Sequence, residues 1–440
     1  MTEDSPQSSV LGGRSSANRA SGPQSSVIRP QPSAIGGRSS QLRSSNSQLL
    51  TSLRVALLTG GGDKPYALGI AEALTEAGVK VDFIGSDELA VSSILQNKRI
   101  KFLNLRGDQR PQASALAKLA RVLRYYVRLL RYTAGRTPPI FHLLWNNKFE
   151  FFDRTALMLY YRLLSKRIVL TVHNVNARTR DGNDSIWNRL SLKMQYRLAD
   201  HLFVHTEKMK TELRSSFAVP SDKVDVIPFG INNTLPKTSL SSAEAKERLG
   251  VPPGSKTLLF FGNIAPYKGL DCLVHAFAKV ARKDPSYRLI IAGRLKCSSE
   301  YWSDVEQAIE AAGVRDQTIQ RIAYIPDEEA EWYFKAADVL VLPYRSIFQS
   351  GVLFLGYSFG LPALVSDVGS LKEEIVEGET GFVFCAEHVE DMARVITRYF
   401  ESDLYRNLES RRGWINDYAN DRYSWTKVAA VTTEVYQRLV

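Results

Sequence analysis

The chain has 440 residues, 44% of them hydrophobic, enough for two or three domains with large cores. No apolar run approaches the ~20 residues that span a bilayer, so no membrane-crossing helix is expected. The net charge of +11 points to an anionic partner, but no zinc-finger spacing or nucleic-acid-binding aromatic strand is present to make it DNA or RNA.

Residues 1–50 are rich in Ser, Gly, Gln and Arg. PQSSV occurs twice there, and LGGRSS returns as IGGRSS. Such a segment buries too little surface to offset its ordering entropy, so a disordered tail is expected. It has no apolar core of a secretory signal. Cys272, Cys297 and Cys385 are scattered without metal spacing, as expected of reduced thiols in a cytoplasmic protein.

Arg54-Val55-Ala56-Leu57-Leu58 predicts a buried strand, followed by the glycine loop Thr59-Gly60-Gly61-Gly62-Asp63 and a helix over 66–77. Gly61 and Gly62 are placed to let a ligand approach the backbone. The loop is neither GxGxxG nor a P-loop. Further strands are predicted at 80–84, 100–104, 140–144, 168–172, 201–204 and 224–227, with helices between most of them. That alternation predicts a parallel sheet covered on both faces, with ligands beyond the carboxyl ends of the strands. Two ends are chemically suggestive: Trp145-Asn146-Asn147, and His173-Asn174 within LTVHNVNARTRD. A histidine is more often structural than catalytic, but this one faces the place where a cleft would be.

Leu116 to Arg136 reads as an amphipathic basic helix. Leu116, Leu119, Leu123, Val127 and Leu130 share one face; Arg121, Arg124, Arg128 and Arg131 share another, and no acid interrupts them. Two roles fit together: the apolar face packs on the sheet while the arginines meet an anionic membrane surface.

A second α/β pattern begins after residue 236. Strands are predicted at 257–261, 288–292, 319–324, 339–342, 363–365 and 382–384, with a helix over 270–282. The densest stretch is 343–381, PYRSIFQSGVLFLGYSFGLPALVSDVGSLKEEIVEGETG. There Ser350 reads as the N-cap of a short helix that Gly360 and Pro362 end. Ser370 with Glu373 reads as a capping box on a following helix. Two helix N-termini in tandem would present free amides to an anion.

VIPFGIN, LLFFGNIAPYKGLD, YRLIIAGR, AADVLVLPY and QSGVLFLGYSFGLPALVSDVGSLKEEIVEGETGF fall in the order and spacing of the family 4 (group 1) glycosyltransferases, which the chain resembles from residue 53 onwards. The resemblance implies the GT-B fold, two Rossmann-like domains facing across a cleft. It divides the chain into a tail (1–50), an acceptor domain (51–235), a nucleotide-sugar domain (236–420) and a last helix (421–440) returning to the first domain. It implies retaining transfer from a UDP- or GDP-sugar to a saccharide or lipid-linked acceptor. It makes Lys268 the phosphate-binding lysine, Ser350, Gly351 and Val352 the phosphate-binding helix start, Tyr324 a neighbour of the nucleotide base, and His173 the histidine facing the transferred sugar. With Asp-x-Asp absent, neither a metal nor another cofactor is expected. The chain departs from the family at Asn263, often Arg, and at Ile347 and Leu355, commonly a Glu pair. Arg345 and Gln349 are candidates to replace the missing cation and sugar contact. The lost pair keeps open a second reading, a sugar-nucleotide-binding pseudoenzyme. A same-fold epimerase would need paired acids in the cleft, and none can be placed.

Overall fold

The computed structural model describes residues 53–109, 114–180, 183–233 and 235–440. The tail expected over 1–50 lies outside them. Among the described residues are two parallel sheets. The first has seven strands in the order β3 (Ile100–Asn104), β2 (Lys80–Gly85), β1 (Arg54–Leu58), β4 (Ile140–Leu143), β5 (Arg167–Thr171), β6 (His201–Val204), β7 (Val224–Val226). The second has six: β10 (Thr318–Arg321), β9 (Tyr287–Ala292), β8 (Lys256–Phe261), β11 (Val339–Leu342), β12 (Ala363–Ser366), β13 (Gly381–Phe384). Unbroken apolar runs such as VALL in β1 and VLVL in β11 are buried throughout, because helices cover both faces of a parallel sheet. In each sheet the strand order reverses at one point, between β1 and β4 and between β8 and β11. Chains leave the two central strands there in opposite directions and open a crevice.

Helix α1 (Lys64–Glu76) follows β1, capped by the Asp63 carboxylate accepting from the Tyr66 amide. Helix α2 (Ala115–Ala134) is the predicted basic helix, and its orientation corrects the expectation. Tyr125, Tyr126, Leu129 and Thr133 face inward, while Leu116, Leu119, Leu123 and Val127 stand 81, 48, 51 and 46% exposed. Tyr126 packs with Phe149 and Phe152 and Tyr125 packs with Tyr126, and these larger rings take the place reserved above for the leucines.

In the second lobe, α3 (Leu270–Ala281) follows β8 and α4 (Gly351–Ser358) follows β11. Gly360 ends α4 as expected: its amide bonds the Tyr357 carbonyl, and the Leu361 amide reaches back to Gly356. The second anion-binding helix start is not built. Residues Leu371–Glu374 form only a four-residue 3-10 turn, and the Ser370 hydroxyl bonds the Phe348 carbonyl at 2.6 Å rather than any amide of that turn. Ser370 thus ties two loops together and does not cap. The last helix, α5 (Trp425–Leu439), returns to the first lobe. Val428, Val435 and Tyr436 complete its core, and Trp425 Nε1 donates to the Ile231 carbonyl at 2.9 Å, next to Gly230.

Candidate active site

Lys268 sits on a 3-10 turn at the end of β8. Gly269 closes that turn at φ +64°, and a Cβ there would stand 2.0 Å from the Pro343 carbonyl oxygen, so only glycine lets the turn press against the end of β11. The lysine is 6% exposed. Its Nζ donates to Tyr344 Oη at 3.1 Å and lies 4.8 Å from the centre of that ring. Tyr344 Oη is 3.2 Å from Ser350 Oγ. Ser350 therefore stands at the N-cap position without capping: its hydroxyl faces the tyrosine, and the first-turn amides of α4 receive no side chain from it. Among the described residues no carboxylate pairs with Lys268. A buried ammonium costs free energy unless an anion accompanies it.

Lys268, Gln349, Ser350, Gly351 and Val352 share one cavity of about 270 Å³ with Tyr66 and Phe229 of the other side of the cleft. Ile347 and Leu355, where the family carries Glu, line it too. Gln349 Nε2 donates to Glu374 Oε1 at 3.3 Å, while its own Oε1 has no partner. Glu374 is buried, and burial pushes its carboxyl above the usual range.

Trp145, His173 and Asn174 line a neighbouring cavity of about 200 Å³ at the ends of β4 and β5. Tyr66 and Phe229 form the partition, with ring centres 4.7 and 6.1 Å from that of His173. Trp145 stacks on His173 at 4.2 Å and 4°. Its ring also occupies the space a Cβ of Gly62 would fill, and Gly61 lies under Arg106, so both glycines serve close packing at the cleft rim.

The histidine's tautomer follows from its neighbours. His205 Nδ1 is 3.3 Å from the Ile227 carbonyl, which can only accept, so that nitrogen carries a proton. Burial lowers His205 to about 4, so its ring is neutral and Nε2 is bare. His173 Nδ1, 3.0 Å away, must then donate to it. His173 Nε2 is left as a lone-pair acceptor with no partner. Burial, with His205 and His142 nearby, holds His173 well below its ordinary range. The Leu144 carbonyl pulls weakly the other way, and the neutral ring can accept a hydroxyl's hydrogen at Nε2.

Three further candidates lie outside the lining of the Lys268 cavity. Arg345 is held by Asp271, with Nη1 at 3.0 Å, and by Glu387, with Nε at 2.8 Å, so it is no spare cation. Asn263 Oδ1 accepts from Arg294 Nε at 3.0 Å, which brings a guanidinium from the end of β9 beside the position where the family often has Arg. Lys296 is close by: burial first, then Arg294 and Lys268, lower its pKa. Tyr324 lies beyond the end of β10, 64% exposed and outside the Lys268 cavity. Tyr344, His205, Arg294 and Glu374 were missed. The first three end or follow strands, the same signal that singled out His173.

Residues 241–419 match the model described as "Glycosyl transferases group 1", and residues 60–235 match "Glycosyltransferase Family 4". The chain belongs to the family 4 (group 1) glycosyltransferases. Among relatives, a D-inositol 3-phosphate glycosyltransferase of Arthrobacter sp. (strain FB24) is 30% identical over 244 residues, 55% of this chain and 56% of that one. The Streptomyces bingchenggensis protein of the same name is 29% identical over 54% of this chain and 52% of its own. The chain thus spans about half the length of the curated relatives it matches. Sucrose-phosphate synthase from Thermosynechococcus elongatus superposes with a TM-score of 0.67 at 17% identity, covering 88% of this chain and 99% of that one. Anabaena Alr3699/HepE, solved with UDP-glucose, gives 0.66 at 13%, over 87% and 100%. These likenesses establish the GT-B fold of this family 4 member.

Proposed function

We propose that the protein is a retaining, metal-independent glycosyltransferase. It would take a sugar from a UDP- or GDP-sugar held on the second lobe to a saccharide or lipid-linked acceptor on the first, in polysaccharide or glycolipid synthesis. The observation that carries this is the buried, unpaired Lys268, joined through Tyr344 to the uncapped start of α4. Breaking a sugar–phosphate bond builds charge on the departing diphosphate. A fixed ammonium and helix-start amides stabilise that charge without reorganising. The neutral His173 would accept a hydrogen bond from a hydroxyl of the transferred sugar. The solved neighbours carry UDP-glucose, or ADP with acarbose, which supports a nucleotide-bound donor.

The test is nucleotide release and product mass with UDP- and GDP-sugars, with and without EDTA. Donor-dependent product in EDTA supports the proposal; EDTA-sensitive turnover removes the metal-independent part. Ile347 and Leu355 on the cavity wall favour the second reading, a sugar-nucleotide-binding partner subunit. Donor binding without turnover across acceptors would select it.

The exposed leucines of α2 beside its arginines support peripheral attachment to the inner, anionic face of a membrane. No helix among the described residues is long and apolar enough to cross one. Sedimentation that is equal with neutral and anionic vesicles would refute the electrostatic attachment.

A further inference from the structure

A further cavity of about 440 Å³ opens between α2 and the ends of β3 and β4. Its lining is partly apolar, with Leu119, Val122, Tyr125 and Phe149, and partly cationic, with Arg106, Lys118, Arg121 and Lys148. Arg106 sets it apart from an ordinary basic surface. It is 9% exposed. Its guanidinium presses on the glycine loop so closely that a Cβ on Gly61 would meet Nη2 at 2.3 Å. It lies 5.4 Å from the centre of the Tyr125 ring. Nη1 donates to Asn147 Oδ1 at 3.3 Å, and Nε has no partner.

Among the described residues no carboxylate pairs with Arg106. The acids of the neighbouring helical segment are committed elsewhere. Glu150 is held by Arg154 at 3.0 Å and Arg178 at 3.2 Å. Asp153 accepts from Tyr126 and from Asn147, and burial pushes its carboxyl up to about 6. A guanidinium taken out of water without an anion, at the head of a half-apolar cavity, is arranged for an anion that arrives with an apolar body. The cavity also adjoins the candidate active site: Arg106 covers Gly61, Trp145 covers Gly62, and His173 stacks on Trp145.

We propose that this cavity binds the phosphate-bearing end of an amphiphilic acceptor, with the phosphate on Arg106 and its alkyl chain along Leu119, Val122 and Phe149. Lys118, Arg121 and Lys148 surround the phosphate. The chain runs out towards the exposed Leu116 and Leu123 of α2. The word acceptor rests on the transferase reading; the binding itself does not, and its test uses no donor.

The full chain is titrated with dodecyl phosphate below its micelle concentration, with dodecyl maltoside and inorganic phosphate as controls, and followed by calorimetry. One dodecyl phosphate per chain is expected, bound at least about tenfold tighter than either control, since dodecyl maltoside lacks the charged contact and inorganic phosphate lacks the apolar one. Arg106→Gln is expected to lose about tenfold or more. Arg106 is buried, so the pair Lys118→Gln/Arg121→Gln, on the helix surface, keeps the test independent of folding; it should lose roughly three- to tenfold. Wild-type affinity in both variants overturns the proposal, as does equal binding of dodecyl maltoside. Inorganic phosphate binding as tightly as dodecyl phosphate overturns the amphiphile in favour of a water-soluble phosphorylated ligand. Absence of sugar transfer alongside intact dodecyl phosphate binding would instead count against the transferase reading alone.

Discussion

Among the described residues, each lobe buries a cation near the end of its sheet that no carboxylate pairs with, but the surroundings differ. Lys268 belongs to a polar relay: its ammonium bonds Tyr344, which meets Ser350 at the start of α4. Arg106 lies against the glycine loop beside the Tyr125 ring, with one amide side chain for a partner. A relay of fixed donors suits an anion that stays in one register while charge develops on it. A guanidinium against an apolar wall suits a ligand whose head is charged and whose body is not. The two cations differ more in the chemistry around them than in their charge.

The strongest way to break this comparison is Lys268→Ala. Turnover should fall by about 10²–10³, as for removal of a donor to a charge that forms only in the transition state. Near-normal nucleotide release would take Lys268 out of the mechanism. Next comes the first lobe's tautomer relay. His205→Phe leaves His173 Nδ1–H without its acceptor and should cost about 10- to 100-fold in kcat, whereas His205→Gln, which can still accept, should cost less. Equal losses in the two variants would make His205 a packing residue.

The relay also carries a pH signature. Burial holds His205 near 4 and His142 near 3, against about 6.5 in the unfolded chain. Between those values the unfolded state binds more protons, so stability is intact above pH 6.5 and falls as pH drops. The slope is about 1.4 kcal/mol per pH unit for each histidine. Asp153, raised to about 6 from 3.8, works in the opposite sense below pH 6 and offsets one histidine's share. Urea melts from pH 7 to 5 should show the net slope, and His205→Gln should remove one proton's worth. A flat profile would contradict the buried neutral rings. The smallest effect is expected at Arg345. Its partners are Asp271 and Glu387 at the half-exposed surface, so Arg345→Ala should leave turnover within about twofold and cost about 1 kcal/mol or less in stability. A large loss of turnover there would restore it as a donor contact.

Much of this was legible in the residues. The apolar runs of β1, β8 and β11, with glycine turns after them, announce doubly wound sheets because a strand covered on both faces has no use for alternation. His173 was legible as a polar residue at a strand's carboxyl end. Arg106 and His205 carry the same mark and were passed over, since nothing local says which strand ends are neighbours. Asn263 advertised a missing cation, but the guanidinium beside it belongs to Arg294, 31 residues further on, brought there by the pairing of β8 with β9.

What the sequence determined alone was periodic or local: the two sheets, the glycine-closed turn that aims Lys268, the Gly360 stop after α4, and the existence of an amphipathic basic helix. Tertiary structure decided which face of that helix meets the core, because periodicity defines two faces without saying which one the sheet will accept, and Tyr125 and Tyr126 filled the space better than the leucines. It also decided how contested groups were shared. The Ser370 hydroxyl went to the Phe348 carbonyl and the Arg345 guanidinium to Asp271, partners 22 and 74 residues away that no local pattern could weigh. A polar group bonds whatever packing brings within reach, and that is a property of the folded chain.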